Sequence, residues 1–427
     1  MTILKMPSAA KNLYANNIAQ RVASNFGWSI VSQAVGKGVF FVANIYLART
    51  LGVSNFGLFT MAQALILYFW LGADLGTNMY GIREIAKRKD NAEEIINPLL
   101  TLRVTSGFIV FALYSISLLF FDMPGTKKLA FAAAGLYLIT YSFYMDWVLK
   151  GLEKFKYIVF GNLISSIVFF AGVILFVRGR DNVAMACLIW ASSYLFGSLS
   201  LAIFVFRKLG IKYRPSINLK LWIFHFRESI HFTFSGSFIA LYQYLPILLI
   251  SIYLNSYEVG LFSAPYRIVI AAGSAGSMLP MSFYPVFSEL YHNDKGQFHN
   301  THKMFQIMLI VIGFLAAIIG TIFADETIRI LLGSQYLKSV AVFKILVWLV
   351  PLYFLGFTYG TALLATGFQK YHNITAFLGV ICMLAFGLYL IPKFSVIGGS
   401  CAAIAAEVAV VGAMLVISQY TFKKTCP

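Results

Sequence analysis

Twelve times in 427 residues this chain runs apolar for the roughly 20 residues that an α-helix needs to cross a bilayer core. The runs lie at about 24–47, 57–78, 97–121, 127–149, 157–177, 183–206, 229–254, 258–288, 303–323, 338–366, 370–391 and 397–420. In hydrocarbon every backbone amide must find its partner within the protein, and continuous runs of this length do so as helices. The connections are short, the longest being 207–228 and 289–302, so no soluble domain fits between the runs. Composition agrees: 59% of residues are hydrophobic and 11% charged, where a soluble domain has roughly 45–50% and 25%. The expected fold is all-α and integral to the membrane, with about twelve transmembrane helices.

The net charge of +17 could suggest a nucleic-acid partner, but its distribution argues for a topological role. With the amino terminus taken as cytoplasmic, 21 Lys and Arg fall on that side, 8 on the other and 4 inside the runs (Lys37, Arg103, Arg267, Lys344). An asymmetry of that size over short loops places both termini in the cytoplasm. The basic cluster from Arg207 to Arg227 reads as topogenic, with contact to anionic headgroups as an additional role. The expected organisation is a cytoplasmic segment at 1–23, a first lobe at 24–206, a cytoplasmic connection at 207–228, a second lobe at 229–420 and a tail at 421–427. Residues 1–23 are polar and basic and show no apolar stretch of a secretory signal.

The two lobes resemble each other. Ile45-Tyr46-Leu47 and then Gly57-Leu58-Phe59-Thr60 find counterparts in Ile252-Tyr253-Leu254 and Gly260-Leu261-Phe262-Ser263. Gly151-Leu152-Glu153-Lys154-Phe155 is matched by Gly367-Phe368-Gln369-Lys370-Tyr371. The matches fall six runs apart, an even number, so the repeats are parallel and related by an axis along the membrane normal. That architecture puts a substrate site between two six-helix lobes and favours alternating access.

No GxSxG, HExxH, P-loop or dinucleotide fingerprint is present, so no catalytic residue or cofactor is expected. Cys187, Cys382, Cys401 and Cys426 are scattered and read as small buried hydrophobes. His292, His299 and His302 fall in what reads as a solvated loop, and no metal site is expected.

The informative residues are ionisable ones within the runs. Residues 257–291 carry Arg267 well inside an apolar run, together with prolines at 265, 280 and 285. A guanidinium at membrane depth costs at least ~2.5–3.5 kcal/mol, and broken helices are tolerated there only in protein or around water. Lys37 lies mid-run between Gly36 and Gly38, which allow close approach of a ligand or a neighbouring helix. Two cations from different lobes could face one cavity and bind a phosphate or pyrophosphate. The alternative is internal neutralisation, for which Glu407 is the obvious partner. Glu407, and secondarily Asp74, could instead carry a coupling proton. Asp74, Arg103 and Asp146 sit at similar depth near the cytoplasmic ends of adjacent runs, and read as a structural ion-pair cluster or a cytoplasmic gate. Prolines 246, 265, 280, 285 and 351 interrupt the second lobe alone, so its helices are expected to bend more. Polar and aromatic side chains that would read the uncharged part of a ligand are sought among Tyr242, Gln243, Tyr244 and Tyr359.

Several motifs together resemble the polysaccharide-transporter branch of the multidrug/oligosaccharidyl-lipid/polysaccharide superfamily, the Wzx-type flippases of O-antigen and related glycans. They are Leu47-Ala48-Arg49-Thr50-Leu51-Gly52 with Phe56 to Phe59, Asp74-Leu75-Gly76 with Arg83 to Ala86, Gly151 to Tyr157, and Gly260 to Arg267. The resemblance covers nearly the whole chain. It implies two six-helix lobes in a MATE-like V shape around a cationic cavity. The implied substrate is undecaprenyl-pyrophosphate-linked oligosaccharide, moved from the cytoplasmic to the periplasmic leaflet of a bacterial inner membrane. In that picture Lys37 and Arg267 hold the pyrophosphate, Arg49 and Arg83 are secondary basic contacts near the mouths, and polymerase and chain-length proteins are partners. Peptidoglycan-precursor flippases differ by two extra spans. A multidrug exporter on the same scaffold would line its cavity with carboxylates, whereas the mid-run charge here is net positive. A membrane glycan transferase would need larger extracytoplasmic loops than this chain has.

Overall fold

The computed structural model describes residues 8–423, and their side chains except at 8–26, 28–34, 231–240, 282, 285, 422 and 423. The expectations for residues 1–7, for Cys426 and for the end of the tail lie outside the described residues. The described chain is helical, without strands. Its helices are α1 (Ser8–Asp74), α2 (Thr77–Lys87), α3 (Ala92–Phe120), α4 (Gly125–Ser142), α5 (Asp146–Gly151), α6 (Phe155–Phe176) and α7 (Val183–Ile203). The second half continues with α8 (Leu219–Tyr253), α9 (Ser256–Ser282), α10 (Tyr284–Asn293), α11 (Lys295–Ile322), α12 (Ala324–Leu331), α13 (Val340–Leu346), α14 (Leu349–Ala365) and α15 (Gln369–Lys423).

By length and apolarity, six of the described helices can cross a membrane; a seventh crossing follows if Ser334–Leu346 and Leu349–Ala365, bent by 42°, count as one. Part of the difference from the expected twelve runs arises because α1 and α15 each pass through two of them. Each is broken once, at Gly52 (φ 74°) and Ser395 (φ 56°). Large side chains such as Leu119, Phe120, Ile322, Ile330 and Val416 are exposed. Apolar surface on this scale is untenable in water and suits lipid, so the protein is a multi-pass membrane protein.

Helices of the first half pack mainly on one another (α1 on α6, α4 on α7, α6 on α7), as do those of the second (α8 on α15, α11 on α14, α14 on α9). The strongest tie between the halves is α1 against α9. There the repeated Gly-Leu-Phe-Thr/Ser segments meet face to face. A Cβ on Gly57 would stand 1.8 Å from the Ser256 carbonyl oxygen, and one on Gly260 2.0 Å from that of Val53. Each glycine thus abuts the carbonyl four residues before the other, a two-fold relation that only bare backbones allow. Ser54 and Ser256 share a hydrogen bond of 3.0 Å, and the Thr60 hydroxyl donates to Ser263 at 3.0 Å.

Four expectations need correction. The Gly151 and Gly367 repeats both close a helix, but in a different register. Lys154 N–H donates to the Leu149 carbonyl as Phe368 N–H does to Leu363, with Glu153 (φ 58°) standing where Gly367 (φ 81°) stands. The cap geometry therefore shifts the match by two residues. Breaks also occur in the first half, at Gly52, at Leu75–Gly76 and between Ser142 and Asp146. Left-handed residues do there what proline was expected to do only in the second half. Residues 292–303 form no loop. Asp294 caps α11 through the Gln297 N–H at 2.9 Å, and His302 is buried, stacked on Phe298 with centroids 5.8 Å apart. Of the described cysteines only Cys187 is buried, whereas Cys401 is exposed.

Candidate functional site

The two halves joined by the α1–α9 contact share a cavity of about 890 Å³. Its walls come from both halves: α1, α6 and α7 on one side, α8 and α9 on the other, with Phe357 of α14. Lys37 and Arg267 both line it. Gly36 meets α6, where the Ser166 hydroxyl donates to its carbonyl at 3.1 Å, but a Cβ there would stand 3.6 Å from Ser166 Oγ in ordinary contact, and Gly38 faces open space.

Arg267 is half-buried and reaches across to the first half. One of its Nη groups donates to Gln63 Oε1, and its guanidinium carbon stands 5.7 Å from the centroid of the Phe56 ring. Its Nε has no partner among the described residues. Lys37 is exposed to the cavity and likewise makes no ion pair with a described residue. Glu407 does not supply the expected counter-charge. It is 5% exposed, is absent from the cavity wall and accepts a 2.6 Å hydrogen bond from the Tyr242 hydroxyl.

Of the side chains expected to read sugars, Gln243 and Tyr244 line the cavity. Tyr242 turns to Glu407, and Tyr359 packs on His302, with ring centroids 5.7 Å apart. The structure adds wall residues that sequence reasoning passed over, namely Asn44, Asn162, Ser166, Ser193 and Tyr194. Their only signal is being polar in apolar runs, which many serines and asparagines in this chain share. A smaller pocket of about 100 Å³, lined by Gln63, Tyr137 and Trp190, shares Tyr194 and Tyr244 with the main cavity. Tyr137 and Trp190 stack there 4.6 Å apart and nearly coplanar.

Farther along the first half, Asp74 pairs with Arg103 at 2.9 Å, the arginine being 1% exposed. Asp146 takes Lys150 at 2.5 Å and Asn78 at 3.5 Å instead. Arg83 lies outside the cavity wall, bound to Glu84 at 2.8 Å and 4.0 Å from Glu228. Burial would raise the Glu84 carboxyl, but hydrogen bonds from Lys87 and Arg83 outweigh it and hold the pKa below its ordinary value. Arg49 lies just before the seam in α1, where its Nη donates to the Ile330 carbonyl at 2.5 Å and its own carbonyl accepts from Gln335 at 2.9 Å.

Packed helical halves around a central cavity are a fold that this chain shares with solved MATE and MurJ structures. The lipid II flippase MurJ in an inward closed conformation matches with a TM-score of 0.73 at 14% identity, over 92% of this chain and 89% of MurJ. An inward-facing multidrug-resistance MATE transporter matches with a TM-score of 0.70 at 14% identity, over 93% and 100%. The "Putative O-antigen transporter" of Escherichia coli (strain K12) is 25% identical over 379 residues, 87% of this chain and 90% of that protein. Residues 22–291 match the polysaccharide biosynthesis protein family, and the chain belongs to that family.

Proposed function

We propose that this protein is a flippase that carries undecaprenyl-pyrophosphate-linked oligosaccharide repeat units from the cytoplasmic to the periplasmic leaflet of a bacterial inner membrane. The reading rests on one observation above others. Lys37 and Arg267, from opposite halves, line the same cavity, and no described carboxylate pairs with either. A pyrophosphate would supply the missing counter-charge, with Arg267 as a planar fork and Lys37 as a point charge. The polyprenyl tail can stay in the bilayer while the headgroup crosses.

In this reading twelve spans form two parallel six-helix lobes with both termini cytoplasmic. The Gly57–Gly260 contact is the closed periplasmic end of an inward-open state. Rocking of the lobes opens it and carries the headgroup across. Glu407, held by Tyr242 beside the cavity, is the coupling carboxylate, and Arg49 and Arg83 act near the two mouths. Polymerase and chain-length proteins would take the product. The multidrug-exporter alternative gains nothing from the geometry, because the one deep carboxylate of α15 stays off the cavity wall.

The test uses a host deleted for the gene and expressing wild type, Arg267→Ala, Arg267→Lys or Lys37→Ala at matched membrane levels. We expect Arg267→Ala and Lys37→Ala to cut surface polysaccharide at least tenfold and to trap lipid-linked units on the cytoplasmic leaflet, with Arg267→Lys partly active. Normal export by both alanine variants would sink the proposal.

A further inference from the structure

The cavity wall beside Lys37 has the opposite hydrogen-bonding character. Asn44 is 3% exposed, donates its amide N–H to the Phe40 carbonyl at 2.7 Å, and leaves Oδ1 without a partner among the described residues. Ser166 donates to the carbonyls of Gly36 (3.1 Å) and Asn162 (2.9 Å). Ser193 donates to the Trp190 carbonyl at 2.7 Å. A hydroxyl that spends its proton on the backbone offers a ligand only lone pairs. All three residues line the cavity with Tyr194, so this stretch of wall presents acceptors and an aromatic ring in the cavity where Lys37 and Arg267 present donors.

A buried acceptor without a donor costs free energy, so a group that brings a hydrogen to Asn44 Oδ1 is favoured there over one that cannot. An anion cannot. A sugar can, since its hydroxyl and N-acetyl groups carry O–H and N–H while its C–H face lies flat on an aromatic ring. We infer that Asn44, Ser166, Ser193 and Tyr194 form a saccharide subsite that holds the first sugar of the headgroup next to its diphosphate. This rests on the flippase reading above and deepens it: the acceptor wall reads the sugar, and the cation pair reads the phosphate.

The purified full-length protein in detergent is titrated with two probes, undecaprenyl diphosphate and undecaprenyl diphosphate N-acetylhexosamine, with binding followed by native mass spectrometry. Wild type should bind the glycosylated lipid at least tenfold more tightly than the bare diphosphate. In Asn44→Leu and Ser166→Val that ratio should fall toward one while affinity for the bare diphosphate stays within twofold, which also shows that the variants are folded. Asn44→Ser, which restores an acceptor, should recover part of the preference. Lys37→Ala and Arg267→Ala should instead weaken both probes alike. An unchanged ratio in Asn44→Leu and Ser166→Val, or a wild-type ratio near one, overturns the subsite while leaving the diphosphate site standing. Wild type that binds neither probe overturns the flippase reading itself.

Discussion

At the scale of single residues, two kinds of buried charge coexist here. Arg267 has a neutral partner in Gln63 and a bare Nε, the state of a cation kept available. Arg103 is sealed against Asp74 at 2.9 Å and is 1% exposed, the state of a cation already paired. Breaking a buried pair by removing one partner costs about 3–5 kcal/mol, whereas replacing both with apolar groups is often neutral. Asp74→Asn alone should therefore lower the melting temperature of the purified protein sharply, and Asp74→Leu with Arg103→Met should restore most of it. Transport by the restored double variant then separates the two roles of the pair. Normal flux means scaffolding, and a stable but inactive protein means a gate.

Among the elements, α1 and α9 are joined by a contact that depends on what two residues lack. Gly57 and Gly260 bring the helices to backbone distance, with the hydroxyls of Ser54, Ser256, Thr60 and Ser263 bonded across the seam. A Cβ 1.8 Å from a backbone oxygen cannot be absorbed by a rotamer change, so the helices must part. Gly57→Ala is expected to hold this end open. The open state should show as labelling of a cysteine placed at Thr60 by a membrane-impermeant maleimide, at least tenfold faster than in the glycine parent. Equal labelling rates would mean that the seam tolerates the methyl group.

For the whole molecule, alternating access requires that seam to open in every cycle. Ser54 and Ser256 have hydroxyl oxygens 3.0 Å apart, a separation from which two cysteines can reach disulfide geometry with small adjustments. Ser54→Cys with Ser256→Cys should stop flux by at least tenfold on oxidation and recover on reduction, while each single variant stays active. Flux that persists through a complete cross-link would exclude passage between the two halves. Just before the seam in α1, Arg49, Gln335 and Tyr336 add bonds between α1 and residues 330–336.

The sequence alone was sufficient for the class of this protein and for its most conspicuous charges. Apolar runs of spanning length admit only helices, and Lys37, Arg267, Arg103 and Glu407 stand out because a charge in hydrocarbon is costly wherever the helix ends up. It also exposed the Gly57 and Gly260 repeat, without showing that the two copies touch. Partner choice was decided only by the tertiary structure. Glu407 turned to Tyr242, Asp146 to Lys150 and Arg267 to Gln63, because a side chain takes whichever group the packing brings within 3 Å, and helix packing is not written in local spacing. The acceptor wall was illegible for the same reason. Asn44, Ser166 and Ser193 are ordinary polar residues in apolar helices, and only their convergence on one cavity with two cations gives them a shared chemistry.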